Sequence, residues 1–464
     1  MTGLALALQG GLAPESFARQ DFHGVTTLHP LGLMAILVLG VTLIFVPRRY
    51  AAIPFLLLAC LVPASQRLVI ATLDFNLLRL LVLAGWARIF LHGEYRGLRW
   101  CRLDSLVVAW SLVSAVSYVV LHGTFGSAIY RAGMLYDALG LYLFFRCVLR
   151  GWRDLELMVR WVAITAVPVA FVFAVEKTTG RNMFAFLGGV PEFTVVREGR
   201  LRVQGPFPHA ILAGCFFAVW FPLVVSLAWR PGQRVLSVVG TLAIFAIIVM
   251  CASSTPVGGV FVAIVGLCAW LIRDQMRPVR WTVAITLVVL HLIMRQPVWH
   301  LISRMSFSPG STSYHRFLLI DNAIRHVGEW ALIGTKDTSH WGHSMYDLTN
   351  QFVAEAARGG LLALVLFVAS LACAFSYVGR LWRIPGVVRD RRLLVWGLGV
   401  SLLVHVAIFL GISISYSQQA LMAFYFVLAA IGSLASRGLD VAPAAERAAR
   451  KPRLTTRRSV AGGA

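Results

Sequence analysis

Two kinds of side chain recur in this chain in patterns that could do chemistry. The first is arginine: Arg200 and Arg202 in GRLRVQGPF, and Arg316 in STSYHRFLLI. A guanidinium is a rigid planar fork of donors that matches phosphate oxygens. Spacing i, i+2 puts Arg200 and Arg202 on one face of an extended segment, suited to a phosphate or diphosphate; at a membrane surface the same side chains can also snorkel to headgroups. The second kind is gathered in HWGHSMYDLTN, which holds His340, His343, Asp347 and Asn350. Histidine and carboxylate groups there are candidates for general acid–base work, because imidazole titrates near neutrality. His343, Asp347 and Asn350 are the candidate catalytic residues. Asp347 reads equally as a helix N-cap or first-turn carboxylate. The H-x-x-H pair followed by Asp has metal-ligand character, but it lacks the glutamate of an HExxH site and a third strong ligand, so no metal and no cofactor is expected.

These residues need elements to hold them. His315, Arg316 and the second cluster all lie in 296–360, the long polar stretch inside an otherwise apolar chain. YHRFLLIDNAIRHVGEW within it has helical spacing (Arg316, Ile320, Ala323, Val327; Phe317, Ile320, Ile324) and predicts an amphipathic helix along a membrane surface. The 464 residues are 58% hydrophobic and 13% charged, about half the charged fraction of soluble domains. That composition predicts an all-α polytopic membrane bundle. Lipid requires each spanning segment to satisfy its own backbone, and the apolar runs are continuous rather than the weak alternating segments of a β-barrel. Runs near 30–46, 50–64, 74–92, 104–122, 128–149, 157–176, 208–229, 235–251, 255–272, 280–295, 361–379, 393–413 and 419–435 make about 12–13 transmembrane helices. The second is short and interrupted by Pro54 and Pro63.

Forty-two Lys and Arg against 20 Asp and Glu give a net charge of +22. The excess lies mostly in alternate short connections: 47–50, 92–102, 150–154, 230–234, 273–280 and 380–392, together with the tail. That is the positive-inside pattern rather than a nucleic-acid footprint. It divides the chain into an outer N-terminal segment (1–29), a bundle (30–435) and a basic, disordered cytoplasmic tail (436–464) apt to lie on anionic lipid. Loops 177–207 and 296–360 then face outward. Loop 177–207 carries Arg181, Arg197, Arg200 and Arg202 against the topology bias, which suggests an anionic ligand reached from the outer leaflet. The seven cysteines form no CxxC and sit in or beside apolar runs, as small core residues. No basic segment precedes the first apolar run, so no cleavable signal peptide is expected. SSTP (253–256) reads as a capped helix start. Arg131 and Asp137, ionisable groups within the fifth span, are either functional or paired with neighbours.

In their order, GRLRVQGPFPHAILAG, SSTPVGGVFVAIVG, STSYHRFLLIDNAIRHVGEWALIGTK and DLTNQFVAEAARGGLLALVLFV resemble the O-antigen ligase and O-antigen polymerase superfamily of bacterial envelopes, over roughly residues 120–435. The resemblance implies a multi-pass protein of the bacterial inner membrane. It also implies a metal-independent glycosyltransferase acting at the periplasmic face on undecaprenyl-diphosphate-linked glycan, with chain-length regulator and flippase proteins as partners besides membrane lipid, and no nucleic acid. Arg202 and Arg316 match the family's diphosphate-binding arginines, and a histidine activates the acceptor hydroxyl. The chain departs from the pattern twice. Ser254-Thr255-Pro256 lacks the arginine that follows the serine, and Thr349-Asn350 stands where His-Asn is expected, leaving His343 or Asp347 to serve. The alternatives are a transporter of lipid-linked glycan or polysaccharide, which would show broken helices and mid-membrane ionisable groups, and a non-catalytic scaffold of an envelope assembly complex.

Overall fold

The computed structural model describes residues 26–70, 73–304, 313–384 and 389–438; the calls made above on 1–25 and on the tail beyond 438 lie outside them. Each expected apolar run contains a helix: α1 (Pro30–Phe45), α2 (Ile53–Leu61), α3 (Leu77–Leu91), α4 (Arg102–His122), α5 (Phe125–Val148), α6 (Trp152–Thr179), α7 (Ala210–Ser226), α8 (Arg234–Met250), α9 (Ser254–Cys268), α10 (Met276–Ile293), and, after the polar insert, α14 (Gln351–Leu381), α15 (Arg389–Phe409) and α16 (Gln418–Gly438). The insert itself holds α11 (Leu301–Arg304), α12 (Ser313–Arg325) and α13 (Val327–Trp330). The only described sheets are two antiparallel hairpins, β1 (Arg67–Ile70) with β2 (Leu73–Asn76), and β3 (Val195–Arg197) with β4 (Arg200–Arg202). The chain is an all-α, multi-pass membrane protein.

Seven helical stretches are long and apolar enough to cross a membrane, against the twelve or thirteen expected. Length sets aside α1, α2, α3 and α8, and α9 with α10 counts as one stretch; α5 has 24 residues, but Arg131, Asp137 and Arg146 interrupt its apolar character. α2 has nine residues, confined between Pro54 in its first turn and Pro63 beyond its end; a proline breaks the ladder and restricts the residue before it. α1 and α8 are apolar but fall below the length of the seven. One of the seven, Ser254–Ile293, joins α9 and α10 through non-helical backbone at Ile272. If straight, it would be about 60 Å long. Both of its ends reach the same helix, α12: Thr255 bonds Arg316, and Trp299, just past α10, bonds Asp321. The run therefore folds back at Ile272, as the two separate spans expected there require.

α7 and α16 are apolar all round, so they sit in the middle. Of their apolar windows, 89% and 94% are buried. α5 and α14 flank α16; α8, α9 and α15 flank α7. α4 lies along α14, and the two approach closely where a Cβ on Gly359 would stand 3.2 Å from the Ser114 backbone. α10 buries none of its residues.

The arginine-rich connections meet at one end of the bundle. Arg48 bonds Val148 and Asp154, Arg150 bonds Glu94, Arg230 bonds Glu156 and Asp390, and Arg437 bonds Gly97. The opposite end collects the charge-poor connections and both long loops. Gln66 bonds Leu187 and Gly188, Gln418 bonds Asp137, and Ser413 bonds Gln351. The alternation of charge along the chain is thus a real division of the molecule into two faces.

α14 starts ten residues before the expected span, because Asn350 caps it: the Asn350 carboxamide accepts from Phe352 and Val353 at 2.9 and 3.2 Å. The helix then breaks at Gly360 (φ 75°). The segment 331–335 satisfies the freed backbone: Leu361 N donates to Ala331 O, and Thr335 N donates to Ala357 O. A Cβ at Gly360 would stand 2.5 Å from Leu332 O. α12 forms as expected, but its buried residues are Ser313, Phe317, Leu319 and Ala323, and Ile324 is exposed. Leu319 and Ala323 cover a small core of the insert itself, with Trp330, Trp341, Met345 and Leu348, so this face is turned to the insert rather than lying open along a membrane surface.

Replacing Gly360 by alanine forces a left-handed conformation and a clash, at a cost of about 1–3 kcal/mol. Thermal unfolding in detergent will show a clearly lower midpoint for Gly360→Ala, and an equal or slightly higher one for Gly379→Ala, a helical position where a Cβ meets nothing within 4 Å.

Candidate functional site

The loop after α6 is fastened by a buried carboxylate. Glu176 accepts from the backbone N–H of Gln204 and Gly205, both at 3.0 Å, and from the Thr194 hydroxyl at 3.2 Å. This fixes β3–β4 and the approach to α7. Arg200 and Arg202 lie on one face of β4, as the spacing predicts, but in different surroundings. Arg200 is exposed near the hairpin turn, whereas Arg202 is buried beside Cys251, where Val203 N donates to Met250 O.

Arg316 comes to the other side of that same turn. Its Nη2 donates to the Thr255 hydroxyl at 2.7 Å, and it faces Cys215. A Cβ on Gly411 would lie 3.0 Å from its Nε, so a glycine there leaves the guanidinium room. Burial holds the Arg316 pKa below the usual guanidinium value. Arg202 and Arg316 therefore bracket the α8–α9 turn, in which Ala252 adopts φ 46°. The SSTP segment does more than start a helix: Ser253 makes no capping bond, and Thr255 holds Arg316.

His315, next to Arg316, packs against the Asp347 backbone and lies near His343. Burial lowers the His315 pKa first; the Asp347 charge opposes this and Arg316 adds to it. The Tyr416 hydroxyl lies beside the Asp347 carboxylate, and its pKa is raised by burial and then by that charge. His343 is exposed and Asp347 half-buried. Asn350 lies elsewhere in role: its carbonyl oxygen caps α14, and its Nδ2 donates to Leu410 O at 3.4 Å. The capping position is thus filled by Asn350, not Asp347.

Beyond Tyr416, within reach of its charge, stands Arg358, which lines a cavity of about 60 Å³ with Arg131, Glu355, Trp110, Ser114 and Gln351. Glu355 accepts from Trp110 Nε1 at 2.8 Å and Gln351 Nε2 at 2.6 Å; Arg358 donates to the Ser415 hydroxyl at 2.8 Å. Arg131 is 6% exposed, and its Nε and Nη2 have no hydrogen-bond partner. Its guanidinium stacks over Tyr118, 3.9 Å from the ring centre. Asp137, the other ionisable residue of α5 singled out from the sequence, is fully paired with Arg79 (2.7 and 2.8 Å) and Gln418. Arg358 and Glu355 do carry a sequence signal: an i, i+3 charge pair just before an apolar run, a pattern that is expensive unless used.

Among the described residues, three metal-ligand side chains converge, His326, Glu329 and His340, with their ligand atoms within 4.8 Å of one another. The expected H-x-x-H pair is divided between two groups: His340 joins this trio, and His343 stands near His315. Compared with known families and with curated proteins, the chain matches no family model and no characterised relative.

Two outcomes follow. Because the folded state lowers the His315 pKa, folding disfavours its protonation. That cost is absent above the ordinary histidine value of about 6.5 and grows as pH falls through it. His315→Asn will show a smaller loss of thermal midpoint between pH about 7.5 and about 5.5 than the parent chain. For Asn350, alanine removes the cap at about 0.5–2 kcal/mol. Asn350→Asp keeps the acceptor and will retain most of the midpoint that Asn350→Ala loses.

Proposed function

We propose that the chain is a glycosyltransferase that polymerises or ligates polysaccharide from a polyprenyl-diphosphate donor, working at the outer, periplasmic end of a bacterial inner-membrane bundle. The carrying observation is the buried arginine at that end, above all Arg131, whose Nε and Nη2 have no hydrogen-bond partner among the described residues. A guanidinium so deeply buried needs an anion or ordered water to complete it. The arginine-rich end is then the cytoplasmic face, by the positive-inside bias, and the C-terminus lies there.

The reaction is a displacement at the anomeric carbon. An acceptor hydroxyl oxygen bonds to that carbon, the bond from carbon to the diphosphate oxygen breaks, and the electron pair leaves on the diphosphate. Arg202 and Arg316 stand where that growing charge would be held, in a partly buried setting that strengthens the attraction. Arg200, exposed on the hairpin, is suited to first contact rather than to the reacting group. Asp347 is the base for the acceptor proton, with Tyr416 beside its carboxylate and His343 at the open edge. Thr349, in the position of the family's histidine, has no base to offer, and Asp347 lies two residues away. Asn350 supports this group by fixing the start of α14.

A transporter would use a broken helix as an open binding site. The break at Gly360 is instead closed by the backbone of 331–335, which favours a fixed site over a moving one. A scaffold would have no need of a buried arginine with two N–H groups left open beside Glu355.

The test is single replacement of Arg131, Arg202, Arg316 and Asp347 by alanine, reading long-chain surface glycan and membrane protein level. Asp347→Ala is expected to reduce chain elongation by about 10²-fold or more, and each arginine change to shorten or abolish long chains. Normal glycan in all four, at normal protein level, would overturn the assignment.

A further inference from the structure

The polar insert carries a second constellation, separate from the arginines and from Asp347. α12 ends at Arg325, and His326 opens the next short helix with Glu329 three residues on, so both project from one side of a turn. His340 comes from the following loop. Its Nε2 lies 2.8 Å from Glu329 Oε2, and the ligand atoms of all three residues fall within 4.8 Å.

The surroundings are those a metal ligand set requires. His326 Nδ1 is 2.8 Å from the Asn322 carbonyl oxygen. A carbonyl can only accept, so the Nδ1 carries the proton and leaves Nε2 with its lone pair. This is the outer-shell bond that fixes tautomer and ring angle in metal-ligating histidines. The His326 ring also stacks on Trp341, 5.4 Å between centres and 17° between planes. Trp341 Nε1 donates to Glu329 Oε2 at 3.0 Å, fixing the carboxylate and leaving its other oxygen to ligate. Two imidazoles and one carboxylate are an intermediate, nitrogen-rich donor set. Glu329 and His340 are 40% and 53% exposed, so a fourth position is open to water.

We infer that His326, Glu329 and His340 form a binding site for one divalent transition-metal ion, of which Zn²⁺ is the best match to two imidazoles, a carboxylate and water. The ion would tie the end of α12, the helix that carries Arg316, to the loop that leads to Asp347. Its role is to hold two parts of the insert in register. It stands apart from the transfer chemistry, and the inference does not depend on the proposed function.

The experiment uses full-length protein in detergent, with any histidine tag removed and the sample stripped by a chelator. Zn²⁺ is titrated by calorimetry, and thermal unfolding is recorded with and without the ion. One Zn²⁺ per chain is expected, with a higher unfolding midpoint. His326→Ala, Glu329→Gln and His340→Ala should each weaken binding at least about tenfold and remove the Zn²⁺-dependent rise. Glu329→Gln retains an oxygen for Trp341, so it keeps the fold and isolates the ligand effect. His343→Ala should bind as the parent does. Absence of binding, binding untouched by Glu329→Gln, or binding lost in His343→Ala but kept in His326→Ala would overturn the assignment.

Discussion

A charge buried inside a membrane bundle must be answered within the protein, and nearly every deep charge here is. Arg146 is 1% exposed, and it meets Asp104 through Nε and Nη2 at 2.6 and 2.8 Å, Ser433 through Nη1, and the Arg99 carbonyl. Asp104 is completed by Tyr142. Arg88 meets Glu94 and the end carbonyls of α1. Removing one partner of such a pair strands the other, which typically costs about 3–5 kcal/mol. These pairs therefore fix which helices can be neighbours: α4, α5 and α16 through Arg146, and α1 with α3 through Arg88. Against that rule Arg131 stands out, its Nε and Nη2 open in a cavity it shares with a second cation.

The pairing is also distributed unequally. At the arginine-rich end, cations of several connections share acids, as Arg230 does with Glu156 and Asp390; this knits the helix ends into a plate. At the other end the long loops are tied chiefly by single uncharged or half-charged bonds to backbone, such as Gln66 to Leu187 and Asn182 to Gly205. The molecule is braced where it has short connections, and it keeps its irregular backbone where ionisable side chains gather. Ala252 and Ser344, both with positive φ, fall in that second region, as strained residues at functional sites tend to do.

Much of the helical layout was legible because apolar length and arginine alternation are direct consequences of lipid. The shortness of α2 was legible as well, from Pro54 and Pro63 at its bounds. What was not legible is informative. α14 begins at Gln351 because a carboxamide cap outweighs the polarity of QFVAEAAR. Arg202 and Arg316 could be singled out by residue type and motif, and they lie on either side of the α8–α9 turn; Arg200, on the same strand face as Arg202, is exposed, because burial depends on what covers each end of a hairpin. Arg131 and Asp137 looked alike in sequence. Their difference rests on Arg79, some 58 positions away, and no local pattern carries such a distance. The capping role of Asn350 was not legible beside its candidate chemical one.

The break at Gly360 divides the making of the molecule as well as its shape. Residues beyond it are long and apolar enough to enter a bilayer alone, while Gln351–Gly359 carry Glu355 and Arg358 and need Trp110, Gln351 and Ser415 to quiet them. Ser415 lies more than fifty residues downstream, in the turn before the last helix. The forward segment of α14 therefore reaches its final position only after the last hairpin has been synthesised. Membrane insertion and completion of the arginine cavity are separate events in the life of the chain, and the second awaits the residues around Ser415.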